Sequence, residues 1–190
     1  MILISQNVTN YNIPIPENAV FRINLAWVSS IDVLQGLLEL HKAHDIFLDL
    51  PTNRLKPPNN RYSLRDISSI LENRSNVRYL AVSNVDEKED LDDYIANIPK
   101  SITVVPKIES HIGVDNIEDI IGKLKYRERI VMLDHDDLYT NLLQSDIPAE
   151  RFSTYINRLV DVCRAHDILL LRTIGIIFAD ETRSVSDYVP

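Results

Sequence analysis

The chain has 190 residues, 45% of them hydrophobic and 25% charged, and a net charge of −8. That length and balance are those of an ordinary globular domain with a sizeable core, and no apolar run approaches the roughly 20 residues of a membrane span. An acidic chain with no basic stripe along its sequence argues against nucleic acid as a partner. Its N-terminus, MILISQNVTN, lacks the basic flank and long apolar stretch of a signal peptide, so a cytoplasmic location is expected.

In chain order, short β-type runs alternate with helical patterns. The runs are MILIS (1–5), AVFRINL (19–25), DIFLDL (45–50), VRYLAVS (77–83), ITVVPK (102–107), RIVMLD (129–134) and DILLLR (167–172). Most are almost continuously apolar, as parallel strands covered on both faces are. Helix starts stand between them: Ser30 before IDVLQGLLELHKA, Ser63 with Asp66 as a capping box, and Pro148 opening AERFSTYINRLVDVCRAH. The acidic run DEKEDLDD (86–93) reads as a solvated helix face, and PPNN (57–60) as a loop. A single cysteine, Cys163, rules out an internal disulfide framework and reads as a packed core thiol. His41, His44, His111 and His166 show no metal-type spacing and read as surface or helix-end residues.

Seven βα units suit either an open doubly wound sheet or a closed eight-stranded barrel. With only four glycines the chain carries neither a dinucleotide fingerprint nor a P-loop. Its polar residues favour the barrel. Arg22 and Asn24, Asp49, Lys107 and Glu109, Asp134 to Asp137, and Arg172 with Thr173 all fall at or just past the C-terminal ends of the expected strands. In a barrel those ends converge on one mouth. The expected fold class is therefore α/β, a TIM-type (β/α) barrel that is shortened or incomplete, spanning residues 1–190 as one domain.

Alternation along a strand lets Lys107 and Glu109 share an orientation while Ile108 points away. Lysine beside glutamate at a mouth can hold an anionic substrate and a divalent cation together, with Asp137 as a second carboxylate for Mg²⁺. An ion pair between Lys107 and Glu109 is the bland alternative. Arg22 with Asp49 presents the same choice between substrate contact and a salt bridge across the mouth. Asp136 or Asp137 could equally cap a short helix, and His135 is either an acid/base group or a turn histidine. Asn24, Asp49 and His135 are candidate substrate contacts around this mouth.

Several of these stretches carry a resemblance. PKIESHIGVDNIEDII resembles the KIEN-x-x-GVxNxxEI segment of pyruvate kinase, and IVMLDHDDL is similar to the strand and turn after it that end in R-G-D-L. FRINLAW resembles the family's R-x-N-F-S-H strand, IFLDLPTNRLK its D-x-x-G-P-x-I-R strand, and LLLRTIGII with ETRSVSDYV its A-T-Q-M strand and following helix. The resemblance implies the phosphoenolpyruvate/pyruvate barrel superfamily, with its citrate-lyase and keto-acid aldolase relatives. It implies Glu109 and Asp137 as ligands of Mg²⁺ or Mn²⁺, and Lys107 as the charge that neutralises a developing enolate or a phosphoryl group. Arg22 would then bind the substrate's phosphate or carboxylate, and Thr173 would line the pocket opposite the metal.

The departures count against a nucleotide-dependent kinase. Ala26 and Trp27 stand where the family has Ser and His, His135-Asp136 replaces its Arg-Gly, and only PPNNRYS lies where a lid domain is inserted. The expected function is a metal-dependent lyase or aldolase acting on pyruvate, phosphoenolpyruvate or a related small keto acid. The alternatives are a catalytically degenerate binding or scaffold protein, or one component of a larger assembly. Seven strands would leave two unpaired edges, so a homodimer or higher oligomer is also expected.

Overall fold

Each of the seven expected runs forms a strand whose ends lie within two residues of expectation. The strands are β1 (Leu3–Ser5), β2 (Val20–Asn24), β3 (Ile46–Leu50), β4 (Val77–Val82), β5 (Thr103–Ile108), β6 (Ile130–Leu133) and β7 (Leu169–Arg172). The structure is a computed structural model that describes residues 1–6, 15–52, 58 and 60–172. All neighbouring pairs are parallel, in the order β1-β2-β3-β4-β5-β6-β7. The sheet curls into an open half-barrel, an incomplete form of the expected (β/α) barrel.

Between the strands run α1 (Ile31–Leu40), α2 (Leu64–Asn73), α3 (Asp92–Asn97), α4 (His111–Asp115), α5 (Ile117–Lys123), α6 (His135–Gln144) and α7 (Phe152–Ala165). Their starts are built from the residues that announced them. Ser30 accepts a hydrogen bond from Val33 N–H, and Ser63 forms a reciprocal box with Asp66. Pro148 precedes a single 3₁₀ turn that leads into α7. The acidic run is less regular than one helix face: Lys88–Leu91 makes a 3₁₀ turn that buries Leu91, and α3 follows.

Alternation along the strands sorts the core into two layers. Outward-facing Phe21, Ile23, Leu48, Leu80, Val104 and Leu133 pack against the helices, including Leu34, Leu38, Ile67, Leu138 and Leu159. The inner face holds a smaller apolar layer of Val20, Phe47, Ala81, Val105, Ile130 and Met132. Each large aliphatic or aromatic side chain fully buried this way stabilises the fold by about 1.5–3 kcal/mol. Cys163 lies in the outer layer, where burial pushes its thiol up to about 11. His41 ends α1 as expected but is buried, its ring stacked on Phe21 at 3.7 Å. No helix among the described residues is long and apolar enough to cross a membrane.

Candidate functional site

Above the inner apolar layer, toward the C-terminal ends of the strands, the side chains change to charged. Asp49 is the one polar residue in β3, a strand whose five residues are all buried, and it is 0% exposed. A lone carboxylate there would be expelled or protonated, so it is found with cations. Arg22, which faces it from the neighbouring strand, donates to Asp49 Oδ2 through Nε at 3.1 Å and also through a terminal guanidinium nitrogen. From β5, Lys107 places its ammonium 3.5 Å from Asp49 Oδ1. On β4, which lies between them, Ala81 is in register with Asp49 on one side and with Val105 on the other, and Lys107 reaches Asp49 from two residues further along β5.

The same ammonium lies 2.8 Å from Glu109 Oε1 and donates to Ser83 Oγ at 3.1 Å. Glu109 Oε2 in turn accepts from the backbone N–H of Asn84 at 2.6 Å. Arg22, Asp49, Lys107 and Glu109 thus form one chain of alternating charge across the mouth. Burial alone would raise the Asp49 carboxyl, but Lys107 and then Arg22 outweigh it and hold the group below its ordinary value. Burial likewise opposes the Lys107 charge, and Asp49 and Glu109 together overcome it, so the ammonium stays protonated.

Glu109 behaves differently from its lysine partner. Burial raises its carboxyl, Lys107 offsets only part of that, and the nearby charge of Asp134 adds to it. Burial is the larger cause, and among the described residues Glu109 shares its one ammonium with Asp49, which also has Arg22. Glu109 is thus the carboxylate of the Lys107 pair whose burial is less fully offset by cations.

Two more acids lie beside it. Oxygens of Glu109, Asp134 and Asp137 lie within 4.8 Å of one another. Asp134 caps α6 through an Oδ1 that accepts from Asp137 N–H at 3.3 Å, which brings both acids to the first turn of the helix. Carboxylate oxygens in a cluster of this size could hold a metal ion. Asp49 Oδ1 accepts no close hydrogen bond and faces the Lys107 ammonium at 3.5 Å.

Lys107, Glu109, Asp49 and Arg22 meet in the mouth, and Asp137 joins Glu109 in the acidic cluster. Both salt bridges weighed as alternatives, Arg22 with Asp49 and Lys107 with Glu109, are present. Asn24 caps the turn after β2, its Oδ1 accepting from Ala26 N–H at 3.0 Å. His135 opens α6, where its Nε2 accepts from Arg172 Nε at 3.2 Å. The capping role considered for Asp136 or Asp137 belongs to Asp134. Thr173 and the ETRSVSDYV stretch lie outside the described residues.

Three contributors went unassigned. Asp134 stands among the strand-end residues 134–137 with no role of its own in the sequence, and its place as the residue before α6 is the available cue. Ser83 and Asn84 follow β4 and hold Lys107 and Glu109. Asn84 has φ 54°, a left-handed conformation that asparagine tolerates better than most residues, and it aims the N–H at Glu109. Asparagine just past a strand was its only signal.

A further constraint comes from α4, where Ser110 caps the helix by accepting from Gly113 N–H at 3.0 Å. A Cβ at Gly113 would stand 2.6 Å from the carbonyl oxygen of Val85. Only glycine allows α4 to press against the loop that presents Ser83 and Asn84.

Comparison with known proteins gives a fold and no family. No family model matches the chain, and no curated protein matches it. Among solved structures it is similar to RipC from Yersinia pestis, with a TM-score of 0.61 at 15% sequence identity, covering 85% of this chain and 72% of that one. At that identity the likeness carries the barrel-type architecture alone.

Proposed function

We propose that the chain is a divalent-metal-dependent enzyme acting on pyruvate, phosphoenolpyruvate or a related small keto acid, with carbon–carbon bond cleavage or formation as the reaction. The observation that carries this reading is the cluster of Glu109, Asp134 and Asp137 beside a buried, protonated Lys107. Glu109, Asp134 and Asp137 would hold the cation, which when bound supplies Lewis-acid polarisation of a keto oxygen. Lys107 sits where it would stabilise negative charge developing on the enolate oxygen. Because two carboxylates keep it charged, it is unsuited to attack a carbonyl as a free amine, which speaks for metal-assisted chemistry over a Schiff base. Asp49 and Arg22 orient that lysine, and Ser83 and Asn84 fix the height of Lys107 and Glu109.

A second reading has its own observation. Arg22 and Lys107, the two cations assigned to substrate, are both already paired with acids. A mouth closed on itself by ion pairs suits a binding or scaffold protein descended from such an enzyme.

Titration calorimetry separates the two. Mn²⁺ should bind the wild type, and Glu109→Gln and Asp137→Asn should each weaken it at least about tenfold, the equivalent of about 1.4 kcal/mol. Oxalate should then bind only with Mn²⁺ present. No Mn²⁺ binding, or binding indifferent to both substitutions, would leave the scaffold reading standing.

A further inference from the structure

The opposite end of the half-barrel carries a second concavity, a groove of about 940 Å³ at the N-terminal ends of β4 to β7. Five cations line it: Arg78 from β4, Lys100 before β5, and Lys125, Arg127 and Arg129 before β6. Two acids share the lining, and one of them, Glu128, accepts a hydrogen bond from Tyr79 Oη at 3.0 Å. The other, Asp167, sits in the turn before β7.

This concentration runs against the composition. The chain has 28 acidic and 20 basic residues, so a lining with five cations and two acids is the reverse of its overall balance. Several basic residues elsewhere do pair: Lys42 and Arg74 both with Glu39, at 2.7 and 3.1 Å, and Lys123 with Asp92. Arg78, Lys100, Lys125 and Arg127 form no ion pair among the described residues. Arg129 hydrogen-bonds the carbonyl of His166.

Helix dipoles account for little of this. Cations are favourable at helix C-termini, and α3 and α5 end nearby, but that effect fades within the last turn. Lys100 and Arg127 lie three and four residues beyond the ends of those helices at Asn97 and Lys123.

We propose that this groove is a binding site for a compact ligand carrying two or more phosphates. Guanidinium forks and ammonium groups match phosphate oxygens, and the hydroxyls of Ser101 and Thr103 on the same lining add neutral donors. Compactness follows from charge. Outside the groove the molecule is acidic, so a long polyanion is repelled along most of its length, whereas a small oligophosphate meets only the basic lining. The two aromatic rings of the groove are also poorly placed to stack bases: Tyr79 is stacked on Phe47, and Tyr126 is packed against the core.

The test is titration calorimetry of the full chain at low salt, without divalent metal, using tripolyphosphate, orthophosphate and a twelve-residue oligothymidylate. Tripolyphosphate should bind at least about tenfold more tightly than orthophosphate, and affinity should fall with added salt. Arg78→Ala with Arg127→Ala, and Lys100→Ala with Lys125→Ala, should each weaken it a further tenfold or so. These residues are exposed, and thermal melts matching the wild type would show that the fold is kept. Lack of binding at millimolar tripolyphosphate, or binding that both double variants leave unchanged, overturns the proposal. Tighter binding of oligothymidylate overturns the compact-ligand assignment and makes the groove a nucleic-acid site.

Discussion

Asp49 shows how much depends on one buried carboxylate. Its oxygens serve Arg22 and Lys107, so Asp49→Ala would leave two cations in a low-dielectric mouth without their shared counter-ion. Breaking a buried pair in this way costs about 3–5 kcal/mol, which chemical denaturation would measure, and Asp49→Asn should cost less because it keeps hydrogen-bond acceptors. The sign of the pH dependence follows from the direction of the shift. Since the folded-state pKa of Asp49 is lowered, its contribution is complete above its unfolded value and is lost as pH falls through the folded one. Stability of the wild type should therefore fall steeply below about pH 4, and the Asp49→Asn variant should lose less over the same range. Equal acid sensitivity in the two would show that Asp49 is not ionised in the fold.

At the scale of elements, the segment from β5 to α4 both displays and buttresses the site. Lys107 and Glu109 end the strand, Ser110 caps the helix, and Gly113 lets that helix lie against the loop after β4. In Gly113→Ala the new methyl would meet the backbone oxygen of Val85, which cannot rotate aside as a side chain can. Overpacking of this kind costs about 1–3 kcal/mol. The loop should shift, loosening the hold of Asn84 on Glu109. A lower melting temperature accompanied by weaker Mn²⁺ binding is the expected outcome, and an unchanged melting temperature would contradict it. The equivalent change at Gly36 or Gly122, where a Cβ meets nothing within 4 Å, should be tolerated.

For the whole molecule, the half-barrel has a graded interior. All five residues of β3 are buried, and β5 is nearly as enclosed, whereas β1 is half-exposed throughout and β7 is exposed at both its ends. Amide exchange should follow this order, with β3 to β5 opening only by global unfolding and β1 and β7 exchanging first. Uniform protection across all seven strands would indicate that the edges are covered, as the expected homodimer or higher oligomer would do. The two ends of the barrel also differ in charge, with acids gathered at the C-terminal mouth and unpaired cations in the N-terminal groove.

The alternation of apolar runs and capped helices determined the seven strands, because runs this short, set between helix-start signals, are too brief for buried helices. It also placed Lys107, Glu109, Asp49 and Arg22 at strand ends, since side-chain direction alternates whatever the surroundings. Three further features were decided only in the tertiary structure. Two carboxylates share one lysine because Lys107 reaches Asp49 across β4, and residues 49 and 107, on strands that are not neighbours, meet only when the sheet forms. Asp134 joins Glu109 because the start of α6 folds beside the end of β5. The basic groove was invisible in the chain, its cations at 78, 100 and 125–129 being drawn together only at the common N-terminal edge of parallel strands. Local patterns report what a residue does with its neighbours in sequence, whereas charge in a site sums over neighbours in space.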